Sequence, residues 1–494
     1  MATTHPAPDQ AEVREGDYGT KITAVEPGGA ESIPQSERHG RPLNLLWTWT
    51  SPNFEFATVF VGVIPVIFFG ETFLQSVLAI VLGTALGSVT MGFLSARGPR
   101  YGAPQMILSR IGFGYFGNWL PAGINSVVAG IGWFAVNSVS GTLALHALAG
   151  GIPEVVCLLI IVLLQIVIAF VGHNLVQAFE KYAFPVLMLI FLAITVVAFS
   201  KATPGAVVGG VGGLGGMGGF LISFGAAFGY AAGWNPYASD YTRYLPADVS
   251  RKAVGFYAGF GVFASCVLLE LGGAAAATIG FTTSGQYPGA AGGWFTNPTA
   301  AFVGVAPHWL ADATLLAIAL GAVAANVLNI YSGAMSFLAL GIKIPFSLRR
   351  ALVALVFGVA GFFLAWSGLS DAGAKYNAFL LIIAYWIGPW LGVFFADQVL
   401  RRGQSVDHLL YDRKHNPVGG FVAMLVGGAV SIWLFSNQNP GDGLPSYVGL
   451  VPKHHPAFGD LTFEVGTVLA ALVYWAFYSF EKRKTPAAPA AAAN

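Results

Sequence analysis

The chain has 494 residues, of which 55% are hydrophobic and only 10% charged, with a formal net charge of +1 and a mean hydropathy of +0.67. That is too little charge to cover a soluble multidomain protein of this length, so the composition specifies a polytopic membrane protein set in a lipid bilayer. The Lys and Arg residues are dispersed along the chain, which excludes the clustered footprint of a nucleic-acid-binding protein.

The first 42 residues are polar, rich in Pro, Gly and Glu, and lack the apolar centre of a signal peptide, so they read as a cytoplasmic tail. A spanning helix needs roughly 20 mostly apolar residues. That standard places twelve transmembrane helices, near 45–69, 73–95, 119–148, 154–172, 183–200, 218–245, 252–279, 312–340, 349–367, 375–399, 418–435 and 464–481. With the N-terminus inside, 21 of the 24 Lys and Arg residues fall in the inner segments, and only Lys201, Lys375 and Lys453 fall outside. Such an asymmetry is the mark of a consistent set of spans, and it puts both termini in the cytoplasm and the chain in the plasma membrane. The tail 1–42 thus precedes a transporter domain over 43–481, and the low-complexity end, 482–494, reads as a disordered tail.

Two spans are interrupted. The first carries Trp47-Thr48-Trp49-Thr50-Ser51-Pro52-Asn53-Phe54-Glu55 and the sixth carries Gly233-Trp234-Asn235-Pro236-Tyr237, followed by Asp240 and Arg243. Irregular backbone is tolerated at membrane depth only where protein covers it or it lines a cavity, so helices 1 and 6 are expected to be broken around a site. Their spacing of five spans fits a 5+5 inverted repeat with two helices appended, the arrangement in which paired breaks point to a transporter's substrate. The outer loop 280–300 is rich in Gly, Ser and Thr and long enough for a short helix over the outer vestibule. Gly83/Gly87 and Gly255/Gly259 are small-residue pairs suited to close helix packing.

In span three, Trp133 and Asn137 are four apart and share a helical face, and Gly130 and Gly132 leave space beside them. Trp234 adds a second indole next to the sixth-span break. Two indoles can clamp a flat heterocycle while amides read its edge, as Asn does for adenine. Span eight supplies amides at Asn326 and Asn329, which are costly in lipid unless they face partners or a cavity. The intramembrane acids Glu55, Glu270 and Asp240 are candidates for carrying a proton, although Asp240 is also placed for an i, i+3 ion pair with Arg243. His146, His173 and His308 fall at span ends and read as interfacial, without metal-ligand spacing. Cys157 and Cys266 lie in apolar runs and read as small buried hydrophobes. No HExxH or GxSxG arrangement is present, so the reading is a carrier rather than an enzyme, with no metal and no cofactor.

Ser51-Pro52-Asn53, Gly132-Trp133 with Asn137, the run Gly233-Trp-Asn-Pro-Tyr-Ala-Ser-Asp-Tyr-Thr-Arg-Tyr244 and the Asn326/Asn329 helix together resemble the nucleobase:cation symporter family, and within it the purine/cytosine permeases. The resemblance runs from about residue 36 to 480. It implies an all-α, LeuT-like fold with substrate held between spans one, three, six and eight. It also implies Trp133 and Trp234 as the stacking pair, Asn137 and Asn329 as ring-edge readers, Ser51 as a span-one contact and Asn326 as a supporting neighbour. Hydantoin- and uracil-type relatives typically carry Gln at the position of Asn137, so the expected substrate is a nucleobase, cytosine or a purine such as adenine, guanine or hypoxanthine. The alternative is another planar heterocycle such as uracil, allantoin or hydantoin. Sodium-coupled relatives carry span-eight hydroxyls before the substrate asparagine; here that stretch is Leu320-Gly-Ala-Val-Ala-Ala325. A hard cation wants oxygen ligands, so the expected coupling ion is a proton rather than sodium, and no obligate protein partner is implied.

Overall fold

The computed structural model describes residues 20–22, 26, 29–206, 216–279, 291–342, 346–370, 372–438 and 447–484. Residues 1–19, 280–290 and 485–494, on which some of the expectations above fall, lie outside the described residues.

The spans begin with a bent segment, α1 (Asn44–Thr50) continuing as a 3-10 turn Ser51–Asn53, then α2 (Phe56–Ile67); the two arms differ in direction by 58°. Next come α3 (Phe73–Ser95), α4 (Trp119–Leu148), α5 (Glu154–Val171) and α6 (His173–Lys201). The sixth segment is α7 (Met217–Ala232), a 3-10 turn Asn235–Tyr237 and α8 (Ala238–Thr242). Then follow α9 (Arg251–Ala277), α10 (His308–Leu338), α11 (Phe346–Gly368), α12 (Ala372–Leu400), α13 (Gly419–Phe435) and α14 (Thr462–Lys484). Among the described residues, α3, α4, α5, α6, α9, α10, α12 and α14 are each long and apolar enough to cross a membrane, and the bent α1/α2 segment makes a ninth. The remaining expected places hold the shorter apolar stretch Leu355–Gly368 of α11, the helix α13 and the α7/α8 segment.

Helices α2, α3, α7 and α9 pack on one another as one group, and α4, α5, α10 and α11 as another; α6 lies across both, against α9, α10 and α1. The last two helices pack together and on the second half of α12. Where helices touch most closely, glycine makes the approach. A Cβ at Gly87 would lie 2.8 Å from the Ala231 Cβ, and one at Gly259 would lie 2.7 Å from the Ser88 carbonyl oxygen. The closest approach joins α2 to α9: a Cβ at Gly62 would lie 1.7 Å from the Glu270 carbonyl oxygen, and one at Gly273 would lie 1.9 Å from that of Val59. Gly62→Ala must therefore push the helices apart at a cost of at least about 1–3 kcal/mol. We expect a clear drop in the melting temperature of the purified protein, against no change for Gly151→Ala, whose added Cβ meets nothing within 4 Å.

Span five starts ten residues before its expected boundary. The chain turns sharply at Gly172, whose φ of 105° is one that glycine adopts freely, and α6 begins at once with His173. The stretch between α9 and α10 carries helical turns at Ala291–Thr296 and Pro298–Val303; Trp294 is buried and the Phe295 ring meets Phe68 at 5.0 Å. At the opposite end of the bundle, Glu26 and residues 29–42 pack against α6, α8 and the turn after α3. There Ile33 N donates to Gly102 O (2.9 Å) and His39 N to Tyr244 O (2.6 Å). This end is called the amino-terminal face below.

Candidate functional site

The first break follows from Pro52, which lacks an N–H, and from two residues that leave the helix. Phe54 has φ −77° and ψ 67°, and Glu55 is extended at φ −147° and ψ 172°. The backbone groups freed there are met by side chains. Glu55 caps α2, accepting from Ala57 N (2.7 Å) and Thr58 N (3.2 Å), and Thr58 Oγ1 donates to Asn53 O (2.6 Å). An acid inside the membrane thus serves the positive end of a helix. The sixth segment, whose backbone passes through its 3-10 turn without leaving the right-handed helical region, is fastened to the first break, because Trp234 Nε1 donates to Asn53 Oδ1 (2.9 Å) while Asn53 Nδ2 donates to Trp49 O (2.7 Å).

In α4, residues Val128–Trp133 form a π-helical turn, a local widening that often marks functional sites. It ends on Trp133 and presents Trp133 and Asn137 to the first break and the sixth segment. The space beside Gly130 and Gly132 is filled by rings from α11 and α12: a Cβ at Gly130 would lie 2.3 Å from the Phe357 ring and one at Gly132 would lie 3.0 Å from Phe379. Phe379 is also an aromatic neighbour of Trp133, whose ring it meets edge-on at 5.1 Å, while Gly132 borders a separate cavity of about 340 Å³ between α4, α11 and α12.

Around these elements lies a cavity of about 10 Å³, the size of a single water site. Glu55 borders it from the first break, Trp133 and Asn137 from α4, Tyr230, Gly233, Trp234 and Tyr237 from the sixth segment, and Asn329 from α10. The four predicted ring-binding residues therefore meet at one point, between the four segments expected. The indole planes are held edge-on by their neighbours, Trp133 by Tyr230 (5.6 Å) and Trp234 by Tyr237 (5.6 Å).

The amide orientations are set from one backbone carbonyl. Asn326 Nδ2 donates to Phe134 O (2.8 Å), so its Oδ1 is the acceptor that receives Asn137 Nδ2 (3.1 Å) and Asn329 Nδ2 (3.2 Å). Asn329 Oδ1 then accepts from the Tyr237 hydroxyl (3.1 Å). Asn137 Oδ1 is buried without a partner, leaving an acceptor at a residue that lines the cavity. Asn326 does not border the cavity and holds the amides of Asn137 and Asn329 from behind it.

The other predicted residues lie elsewhere. Ser51 does not border the cavity; its hydroxyl faces Glu180 of α6. Glu270 accepts from Thr84 Oγ1 (2.7 Å) in the α3–α9 contact, away from the cavity. Asp240 accepts from Gln105 N (2.8 Å), and the expected Asp240–Arg243 ion pair does not form. Arg243 turns instead to the N-terminal segment: its Nη2 reaches Glu26 Oε1 at 3.0 Å, with both side chains fully buried, and its Nη1 donates to Gly29 O (2.8 Å). Glu26 also accepts from the Tyr244 and Tyr331 hydroxyls. His173, expected at an interface, is buried and stacked on Tyr244 at 4.0 Å between ring centres. Among the described residues no group of His, Cys, Asp or Glu is arranged to hold a metal ion.

Tyr230 and Tyr237 were not anticipated. Each is one helical turn from Trp234, a spacing that would have drawn attention to them, but a tyrosine in an apolar run reads first as packing. Tyr230 donates to Glu55 Oε1 (2.8 Å) and meets the Thr58 hydroxyl (2.6 Å), so it ties the acid at the first break to the sixth segment.

Comparison with known proteins accords with this geometry. The structure is similar to that of Mhp1, a nucleobase-cation-symport-1 family transporter, in a closed conformation with bromovinylhydantoin bound. The TM-score is 0.69 at 18% identity, covering 94% of this chain and 97% of that one. It is similarly related to the inward-facing conformation of Mhp1, with a TM-score of 0.68 at 19% identity over 94% of this chain and 95% of that one. The two likenesses show the LeuT-like fold expected from the sequence. Among curated proteins, the purine-cytosine permease fcyB of Emericella nidulans is 28% identical over 92% of this chain and 89% of its own length. The purine-cytosine permease FCY22 of Saccharomyces cerevisiae is 30% identical over 91% of this chain and 85% of its own length. Residues 32–451 match the family described as permease for cytosine/purines, uracil, thiamine, allantoin, and the chain belongs to that family of membrane transporters, which are not enzymes.

Proposed function

We propose that the protein imports a nucleobase, cytosine or a purine such as adenine, guanine or hypoxanthine, together with a proton, by alternating access across the plasma membrane. The observation that carries this reading is the convergence of two indoles and two oriented amides on one enclosed point, with the Asn137 acceptor unpartnered. A flat ring stacked between Trp133 and Trp234 could offer a ring N–H to Asn137 and engage the Tyr237–Asn329 pair along the same edge. The cavity is too small for such a ring, so binding must part the indoles before closing on the ligand.

Asn137, in place of the Gln of hydantoin- and uracil-type relatives, favours a purine or cytosine, and the names of the curated relatives point the same way. Proton coupling is supported by the packing of α10 on the first break. A Cβ at Gly321 would lie only 2.2 Å from the Phe54 carbonyl oxygen, so glycine backbone covers a place where hydroxyls would be needed to complete a sodium shell. The distribution of Lys and Arg makes the amino-terminal face the cytoplasmic one.

The test is uptake of labelled cytosine and hypoxanthine in cells lacking their own permeases, in sodium-free buffer, with and without a protonophore. Saturable uptake that persists without sodium and collapses with the protonophore is expected. Uptake of neither base would move the assignment to allantoin- or hydantoin-like rings, and strict sodium dependence would overturn proton coupling.

A further inference from the structure

Each of the three acids singled out from the sequence holds at least one donor, although one oxygen of Asp240 and one of Glu270 stays without a partner. Glu55 caps α2, Asp240 holds the Gln105 amide and Glu270 holds the Thr84 hydroxyl. Glu180, on the second turn of α6, has none: it is fully buried, and neither carboxylate oxygen has a partner in hydrogen-bonding geometry. What faces it is the Ser51 hydroxyl at the first break, itself without a partner, and, from α8, Tyr241. Among the described residues no cationic side chain forms an ion pair with it. An ionised carboxylate buried without a cation is strongly disfavoured, so this closed arrangement accommodates the acid form.

Glu180 does not line the amino-terminal face, but its neighbours on α6 do. A cavity of about 390 Å³ there is bounded by Gln177 and Lys181, which flank Glu180 along α6, by Trp47 of α1 and by Tyr241 of α8. Thr48 Oγ1 donates to Gln177 Oε1 (2.8 Å), joining α1 to α6 between cavity and break. The elements that enclose Glu180 are thus those whose separation would open this face.

We propose that Glu180 is the residue that carries the coupling proton, a role that rests on the proton-symport reading above. With the opposite face open, the carboxylate takes a proton from water that reaches the Ser51 break. When α1 and α8 part from α6, the O–H bond of the acid breaks, the proton passes to water in the amino-terminal cavity and the hydrated carboxylate remains. Nothing else is oxidised, reduced or transferred.

The test uses purified protein in liposomes loaded with a pH-sensitive dye and supplied with hypoxanthine. Wild type should acidify the lumen as hypoxanthine enters. Glu180→Gln should exchange labelled for unlabelled hypoxanthine within about twofold of the wild-type rate, since exchange needs no net proton movement, yet lose at least about nine tenths of the acidification. Glu180→Asp, which keeps an acid, should retain acidification, and covers the case in which Glu180→Gln is poorly folded. Acidification by Glu180→Gln at the wild-type level, or its loss in a Glu180→Asp protein that still exchanges, would overturn the role of Glu180. Hypoxanthine entry without acidification in the wild type would overturn proton symport itself, before any variant is made.

Discussion

Replacing Trp133 with alanine should raise the half-saturation concentration for nucleobase uptake roughly 5- to 150-fold, the equivalent of the about 1–3 kcal/mol that an aromatic partner contributes to stacking on a base. Trp133 is the better of the two indoles to test. Trp234 also donates to Asn53 and so fastens the sixth segment to the first break, and its removal would mix binding with architecture. The Trp133 contacts given by the structure are ring contacts with Tyr230 and Phe379. Trp133→Phe keeps a π face at the same place and should recover most of the affinity. If alanine and phenylalanine are equally impaired, the loss reflects repacking of the α4 turn rather than stacking.

The largest effect on stability is expected at Arg243. Its guanidinium is buried with Glu26, and it also donates to Gly29 O and to the Tyr331 hydroxyl (3.0 Å). Breaking a buried pair from one side leaves an uncompensated charge and costs about 3–5 kcal/mol, a large part of the stability of a typical protein. Arg243→Ala should therefore lower the melting temperature sharply and expose residues 29–42 to protease. Glu26→Gln should do the same more mildly, because Gln still accepts from the Tyr244 and Tyr331 hydroxyls. Because the two residues share one interaction, the double variant should be less impaired than the sum of the singles. Additive losses would mean that the pair is not coupled.

Much of this was legible in the sequence, because the membrane simplifies the reading. Roughly 20 apolar residues are needed to cross it, and a Pro-Asn-Phe-Glu or Trp-Asn-Pro inside such a run has few explanations. The residues meeting at the cavity were likewise visible as indoles and amides that lipid would not otherwise tolerate. Partners brought together from distant segments were not visible. Spacing pairs Asp240 with Arg243, but the tail delivers Glu26 to that guanidinium, and no local rule reports a contact across more than two hundred residues. His173 was read as interfacial, and Glu180 fell between the expected spans 154–172 and 183–200, because polar residues precede span five. In the structure both lie in the first turns of α6, His173 against Glu26 and His39 of the N-terminal segment and Glu180 facing Ser51 at the first break. Gly130 and Gly132 were read as leaving space beside Trp133, and a missing side chain does not say that the Phe357 and Phe379 rings come up against them.

The central claim is that a flat nucleobase binds where Trp133, Asn137, Trp234 and Asn329 converge. The most direct measurement is equilibrium binding of labelled hypoxanthine and cytosine to the purified protein, alongside Asn137→Ala, whose carbonyl oxygen is the unpartnered acceptor at the cavity. The account predicts saturable binding of at least one base by the wild type, and binding weaker by about tenfold in the variant, as expected for the loss of one hydrogen bond of about 1 kcal/mol or more. Equal affinity in wild type and variant would contradict it.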